Sequence, residues 1–166
     1  KRHDFLIRYD VGFDRQGRIL AIEFTHALRC GMSADLSGPI AGRAMFHSDN
    51  AYYLPDVTIT SLRCKTNTVS NTAFRGFGGP QGMMGIERVI DAIAHQLGKD
   101  PLEVRKINLY GLHERNITPY KMVVEDNVLH DLVAELAESS DYAKRRQKIA
   151  AFNQNSPIIR KGIALI

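Results

Sequence analysis

The densest structural signal in the chain is a glycine-rich run at residues 70–82, which contains four glycines, all within its last seven positions. Glycines at this density let the backbone adopt positive φ and approach a ligand closely. Pro80 favours the first turn of a helix, and unbonded amides at the start of that helix are expected to face the loop and to favour an anionic partner. Two rings, Phe74 and Phe77, and the guanidinium of Arg75 lie in the same run. The run therefore predicts a binding loop for a flat or anionic ligand.

Two familiar phosphate-binding motifs do not fit this loop. The dinucleotide fingerprint requires a glycine where Gln81 stands and a buried strand before the loop, whereas residues 68–72 are polar. A P-loop requires Gly-Lys-Ser/Thr at a fixed spacing, and the chain lacks it. A plain structural turn ahead of a helix stays open as an alternative.

Charge and composition exclude several classes of partner. The formal net charge is only +4, and the basic clusters at residues 144–146 and 160–161 carry no interleaved aromatic residues, so we expect no nucleic-acid surface. No apolar run approaches the roughly 20 residues that span a bilayer. Cys30 and Cys64 form no metal-ligand pattern and indicate reduced thiols. We therefore expect a cytoplasmic protein that binds neither nucleic acid nor membrane.

The order of predicted elements indicates an α+β fold. Alternating apolar residues at positions 4–13 and 18–29, around turn residues 14–17, predict a β-hairpin. Apolar spacing and turn signals then predict further segments: a helix over residues 37–47, extended chain over 52–64, a helix over 81–97 closed by Gly98, a helix opened by Asp100 with Pro101 and Glu103, one or two helices over 129–152 interrupted near 139–141, and a strand over 162–166. Strands and helices without regular βαβ alternation argue for α+β.

Acidic side chains supply no catalytic group by pattern. Most lie on predicted helix faces, where solvated charges are expected: Glu87, Asp91, Glu103, Glu135 and Glu138. The histidines form no paired metal motif, and nucleophilic catalysis has no positive support in the sequence. The chain also begins without methionine and stops inside the apolar residues 162–166, so we expect a fragment cut at both ends.

A longer segment of the chain resembles a known protein family. Residues 63–83, which run Arg-Cys-Lys-Thr-Asn-Thr-Val-Ser-Asn-Thr-Ala-Phe-Arg-Gly-Phe-Gly-Gly-Pro-Gln-Gly-Met, closely resemble the molybdenum-binding region of the xanthine dehydrogenase and xanthine oxidase family. Similarity is found, in the family's order, at residues 3–6, 9–13, 43–47, 101–110 and 160–163. The resemblance implies that residues 1–166 are a partial molybdenum-cofactor-binding domain.

The resemblance also implies roles for individual residues. Arg43 matches the arginine that holds the oxygen of a purine, where a planar guanidinium can stabilise developing negative charge. Phe77 matches one of two phenylalanines that hold the heterocycle. Arg75 and Gly76 match positions that contact the molybdenum cofactor, a task that a backbone amide can perform. Core packing explains Phe74 equally well. The general-base glutamate is expected outside this chain, so no catalytic residue is assigned within it.

The complete protein is then expected to hydroxylate a purine such as xanthine or hypoxanthine, with water as the oxygen source. Its molybdenum-molybdopterin would be shared with segments outside the chain, with iron–sulfur clusters and FAD on other segments or subunits of a homo-oligomer. The isolated fragment is expected to be inactive. Two alternatives stay open: a related hydroxylase of aldehydes or other N-heterocycles, which Arg43 disfavours, and a structural fragment without activity.

Overall fold

The computed structural model describes residues 1–166. The elements follow in the order β1 (Phe5–Phe13), β2 (Ile19–Gly31), α1 (Ser37–Phe46), β3 (Val57–Lys65), α2 (Gly79–Leu97), α3 (Pro101–Asn108), α4 (Leu129–Ser139) and α5 (Tyr142–Asn155). They divide into two compact units, Lys1–Glu125 and Asp126–Ile166. Five helices and one three-stranded sheet confirm the predicted α+β class. No helix combines the length and the apolar character that crossing a membrane requires.

The sheet is built on the predicted hairpin. β1 and β2 pair antiparallel, and the turn between them is fixed locally, because the Asp14 carboxylate accepts hydrogen bonds from the amides of Gln16 and Arg18, each at 2.9 Å. Gly17 has a φ of +93° in this turn. β3 pairs parallel to β2, so the chain must cross over between them, and α1 lies in that crossover.

Helices α1 and α2 both pack on the sheet. The side chains of Phe24 and Leu28 on β2 are fully buried, as are those of Ile86 and Ile90 on α2. α2 begins at Gly79, two residues before the predicted start, and ends against Gly98, whose φ is +64°. These buried side chains belong to the apolar core of the first unit, in which Leu28 of β2 also packs with Ile40 and Ala41 of α1.

Local capping places α3 directly after α2. The Asp100 carboxylate accepts a hydrogen bond from the Leu102 amide at 2.8 Å, and Pro101 occupies the first turn, which confirms the predicted helix start. The predicted break near residues 139–141 is also present, because α4 ends at Ser139 and α5 begins at Tyr142.

Two sequence expectations are wrong. The apolar residues 162–166 form no strand, because a strand requires a hydrogen-bonding partner. Just before them, the Asn153 side chain donates to the Lys161 carbonyl and accepts from its amide, both at 2.9 Å. Glu87 is not a solvated helix charge, since only 17% of its side chain is exposed beside the guanidinium of Arg105. Both errors have the same cause, because the spacing of apolar residues does not show which distant residues a segment contacts.

Candidate functional site

The glycine-rich run forms a tight left-handed turn at the start of α2. The amide of Phe77 donates to the Phe74 carbonyl at 2.8 Å, and the amide of Gly79 donates to the Gly76 carbonyl at 2.9 Å. Gly76, Phe77 and Gly78 have φ values of +89°, +50° and +98°. A positive φ is strained for a bulky residue such as phenylalanine and is often found at functional sites. The turn thus has the backbone character of a ligand-binding loop.

The amides at the start of α2 are not free, contrary to the sequence expectation. The amides of Gln81 and Gly82 both donate to the Gly78 carbonyl, and Pro80 has no N–H. The Gly78 carbonyl therefore accepts the hydrogen bonds that these amides were expected to donate to an anion. Gly76, in the turn before the helix, is an exposed residue whose amide makes no hydrogen bond within the chain.

Gly76 also sits in a cradle that a side chain would fill. A Cβ at this position would lie 2.5 Å from Cγ of Pro80, in addition to the unfavourable positive φ. The loop can therefore present this amide only while position 76 is glycine.

The two phenylalanines of the loop differ in environment. Phe77 is half-buried and packs against an apolar cluster that includes Leu28 and Ile40. Phe74 is 56% exposed, so core packing does not account for it. Arg75 is exposed as well, with its guanidinium outside any ion pair. Of the two rings, Phe77 presents only part of its surface to a ligand.

Helix α1, which contains Arg43, packs its backbone against the same loop and the start of α2. A Cβ on Gly78 would overlap the carbonyl oxygen of Ile40, and a Cβ on Gly82 would overlap that of Ala44. Gly78 thus lies in contact with the helical turn that contains Arg43. Arg43 itself is exposed and in the last turn of α1.

These contacts connect the loop with helix α1 through the backbone of Gly78. Phe77 and Gly76 directly precede Gly78, which touches the turn of Arg43. The combination provides a guanidinium, a ring edge and a free backbone amide. That set can bind a planar, electron-rich or anionic ligand, but none of its members is suited to act as a general base at neutral pH.

Three residues near the loop have contacts that the sequence patterns did not single out. His3 is buried, with Nε2 2.8 Å from the Ser37 hydroxyl, and burial lowers the pKa of His3. Nε2 of the Gln81 side chain donates to the His3 carbonyl at 3.2 Å, and Nη2 of Arg2 donates to the Arg75 carbonyl at 2.6 Å. His3 and Gln81 lie within the resembling segments, whereas no motif includes Arg2.

One open pocket near this region does not contain the candidate residues. A pocket of about 480 Å³ opens at the start of α1 and is lined by residues that include Asp35, Gly38, Arg63 and Lys65. The described residues contain no group of three or more His, Cys, Asp or Glu side chains placed to hold a metal ion.

Comparison with known proteins assigns this architecture. A family model described as a molybdopterin cofactor-binding domain matches residues 1–109. The chain is 44% identical over 165 residues to the xanthine dehydrogenase/oxidase of Gallus gallus, which covers 99% of the chain and 12% of that protein. It is 40% identical over 167 residues to a nicotinate hydroxylase of Emericella nidulans, covering 100% of the chain and 12% of that protein. These matches confirm the resemblance inferred from the motifs.

Solved structures agree with the fold. The aldehyde oxidoreductase of Desulfovibrio desulfuricans superimposes with a TM-score of 0.77 at 27% identity, over 89% of this chain and 16% of that one. Quinoline 2-oxidoreductase of Pseudomonas putida gives a TM-score of 0.75 at 24% identity, over 93% and 20%, which supports the fold alone. The chain spans about 12% of the length of the curated relatives it matches.

Proposed function

The chain belongs to the family of molybdopterin cofactor-binding domains, and from that membership we propose that it is part of the molybdenum-binding catalytic portion of a purine hydroxylase. Residues 1–166 would be a partial cofactor-binding domain that contributes contacts to both substrate and cofactor. Relatives named xanthine dehydrogenase support the purine assignment. The single observation that supports it is the contact of Gly78, which follows Phe77, with the helical turn of α1 that contains the exposed Arg43.

The loop fits the cofactor through its backbone. Gly76 is an exposed residue whose amide has no partner within the chain, at a position where a Cβ would overlap Pro80. Gly76, together with Arg75 of the same peptide unit, would hold an oxygen of the molybdenum cofactor by such a donor. When bound, the molybdenum that molybdopterin holds would be the redox centre that accepts the electrons of substrate oxidation.

Arg43 would bind the substrate by charge-assisted hydrogen bonds. Attack on a ring carbon of a purine moves negative charge onto the ring and its carbonyl oxygen. A fixed planar guanidinium stabilises that charge more strongly than it stabilises the ground state. Phe77 would contact the face or edge of the heterocycle with the part of its ring that the core leaves uncovered.

The remaining parts of the proposal lie outside the chain. A glutamate general base, iron–sulfur clusters and FAD would be supplied by other segments or subunits of a cytoplasmic homo-oligomer, and the isolated 166 residues would neither retain molybdenum nor turn over xanthine. The proposal is tested on the full-length protein by its molybdenum and pterin content and by its rates with xanthine and with an aromatic aldehyde. Cofactor-loaded protein that does not oxidise xanthine would contradict it.

A second candidate substrate is an N-heterocyclic carboxylate. The 40% identity to a protein named nicotinate hydroxylase favours it, and a guanidinium such as that of Arg43 binds a carboxylate as readily as a carbonyl oxygen. A comparison of nicotinate with xanthine on the same full-length preparation separates the two candidates.

A further inference from the structure

The first three residues of the chain are tied to the glycine-rich loop and the helix after it. The Lys1 carbonyl accepts from the Thr72 amide at 3.0 Å. The Arg2 side chain reaches the loop itself, and the His3 carbonyl accepts from the Gln81 side chain at 3.2 Å. The segment before β1 therefore borders the loop along its length.

Arg2 holds the loop at two points. Its Nη2 donates to the carbonyl oxygen of Arg75 at 2.6 Å, and its guanidinium carbon lies 4.4 Å from the centroid of the Phe74 ring. The second distance is within the range of a cation–π interaction. A planar guanidinium can make both contacts at once, whereas an ammonium group cannot offer the same flat face.

The carbonyl that Arg2 binds belongs to the same peptide unit as the Gly76 amide. A trans peptide is planar, with its C=O and N–H on opposite sides of the chain. Fixing the Arg75 carbonyl therefore fixes the direction of the Gly76 N–H, which makes no hydrogen bond within the chain. The residues that follow have positive φ, including Phe77 at +50°, so the turn is strained. The contacts from Arg2 add to the two backbone hydrogen bonds that close it.

We propose that Arg2 is a positioning residue, which holds the Arg75–Gly76 peptide so that the Gly76 amide points out of the loop. The identity of the group that this amide meets, the molybdenum cofactor, rests on the proposed function. The claim that Arg2 orients the peptide does not depend on the proposed function, because it is argued from the contacts of Arg2.

The test is made on the full-length protein with Arg2→Met and Arg2→Lys. The matched control is Arg8→Met, which removes an exposed arginine of β1. Hydrogen–deuterium exchange is followed at the amides of Phe77 and Gly79, because these two bonds close the loop.

We expect Arg2→Met to lower protection of the two loop amides by roughly tenfold, since a charge-assisted hydrogen bond is lost. Arg2→Lys should lower it less, because one donor to the carbonyl remains. Buried amides in the middle of α2, at Ile90 and Ile93, should exchange as in the wild type, and Arg8→Met should change none of these rates. Bound molybdopterin should be lost several times faster from Arg2→Met, at an unchanged melting temperature.

Two results would overturn the inference. One is unchanged protection of the loop amides in Arg2→Met, and the other is an equal loss at Ile90 and Ile93, which would make Arg2 a support of the whole unit. If the wild-type protein carries no molybdopterin, the proposed function fails, but the exchange rates still decide whether Arg2 holds the peptide.

Discussion

The α carbon of Gly82 in α2 lies so close to the carbonyl oxygen of Ala44 in α1 that a Cβ on Gly82 would overlap it. One turn earlier, Gly78 has the same relation to the carbonyl of Ile40. The two helices therefore approach each other along glycine backbone. This approach sets the turn that carries Arg43 against the loop that carries the candidate cofactor contact.

Gly82→Ala should separate the two helices and destabilise the protein. Overpacking of this kind costs about 1–3 kcal/mol, which outweighs the gain of up to about 1 kcal/mol in helix propensity. Gly42→Ala is the matched control, because a Cβ at Gly42 in α1 meets nothing within 4 Å. Urea unfolding of the two variants should show a loss of stability for Gly82→Ala and none for Gly42→Ala. Equal stability of both variants would contradict the close approach at Gly82.

Glu87 joins α2 to α3 and to the segment before β3. Its carboxylate accepts from Tyr52 at 2.7 Å, from Asn50 at 2.9 Å and from two nitrogens of Arg105, at 2.7 and 3.0 Å. The pair is largely buried, with 5% of the Arg105 side chain exposed. Glu87→Gln should cost about 3 kcal/mol, because it leaves a buried guanidinium with only Asp91 as a charged partner, at 3.1 Å.

The control for that prediction is Glu103→Gln. Glu103 pairs with Lys106 at 3.6 Å on the exposed side of α3, where an ion pair contributes less than about 1 kcal/mol. Chemical denaturation should therefore separate the two glutamate variants clearly. A cost for Glu87→Gln no larger than that for Glu103→Gln would show that the buried network does not hold these elements together.

His26 should make stability depend on pH. Its ring is fully buried between Phe24 and Phe5, with centroids at 5.6 and 6.3 Å, and neither ring nitrogen has a hydrogen-bond partner. Burial lowers the pKa of His26 below its usual value of 6.5. The unfolded chain then takes up a proton near that pH while the folded chain does not, so stability falls as pH falls below the unfolded value.

The size of this effect is bounded by about 1.4 kcal/mol for each pH unit below 6.5. His26→Leu should flatten the fall between pH 6.5 and 5, leaving the contribution of His3, whose pKa burial also lowers. Unfolding free energies of wild type and variant across that range provide the measurement. Parallel pH profiles would mean that His26 does not resist protonation in the folded chain.

Sequence reasoning succeeded where a structure is determined by neighbouring residues. The hairpin turn depends on Asp14 and Gly17, and the start of α3 on Asp100, all within a few residues of the groups they bond. All the residues that form such a turn or helix cap are neighbours in the sequence, so the sequence alone can predict them. The class of the fold followed from the order of these local elements.

Contacts between distant segments could not be predicted in this way. Gly82 was visible as part of a glycine-rich run, but its contact with Ala44 depends on how α1 crosses α2. Arg2 reaches a carbonyl 73 positions along the chain, and no local pattern marks that pairing. The free amide was expected at the start of α2 and was found in the turn before it, because Gly78 supplies the acceptor for the helix amides.

Phe77 should contribute to both packing and substrate binding. Phe77→Leu keeps an apolar side chain against Leu28 and Ile40 but removes the ring, so it should cost little stability while weakening purine binding by about 1–3 kcal/mol, the range for base–aromatic stacking. Phe77→Ala should lose both. The measurement is KM for xanthine beside the melting temperature of each variant. Unchanged kinetics in Phe77→Leu would show that the ring serves the core alone.

The central claim, that Arg43 binds a purine oxygen, is tested most directly by Arg43→Met in the full-length protein, with xanthine and an aromatic aldehyde as paired substrates. The variant loses a charge-assisted hydrogen bond of about 1.5–3 kcal/mol that strengthens in the transition state, so xanthine turnover should fall roughly 10- to 150-fold, in kcat as well as KM. Aldehyde oxidation should persist, because a simple aromatic aldehyde has no carbonyl oxygen besides the reacting one for Arg43 to bind. Equal losses on both substrates at unchanged molybdenum content would contradict the claim and leave Arg43 as a support of the fold or the cofactor.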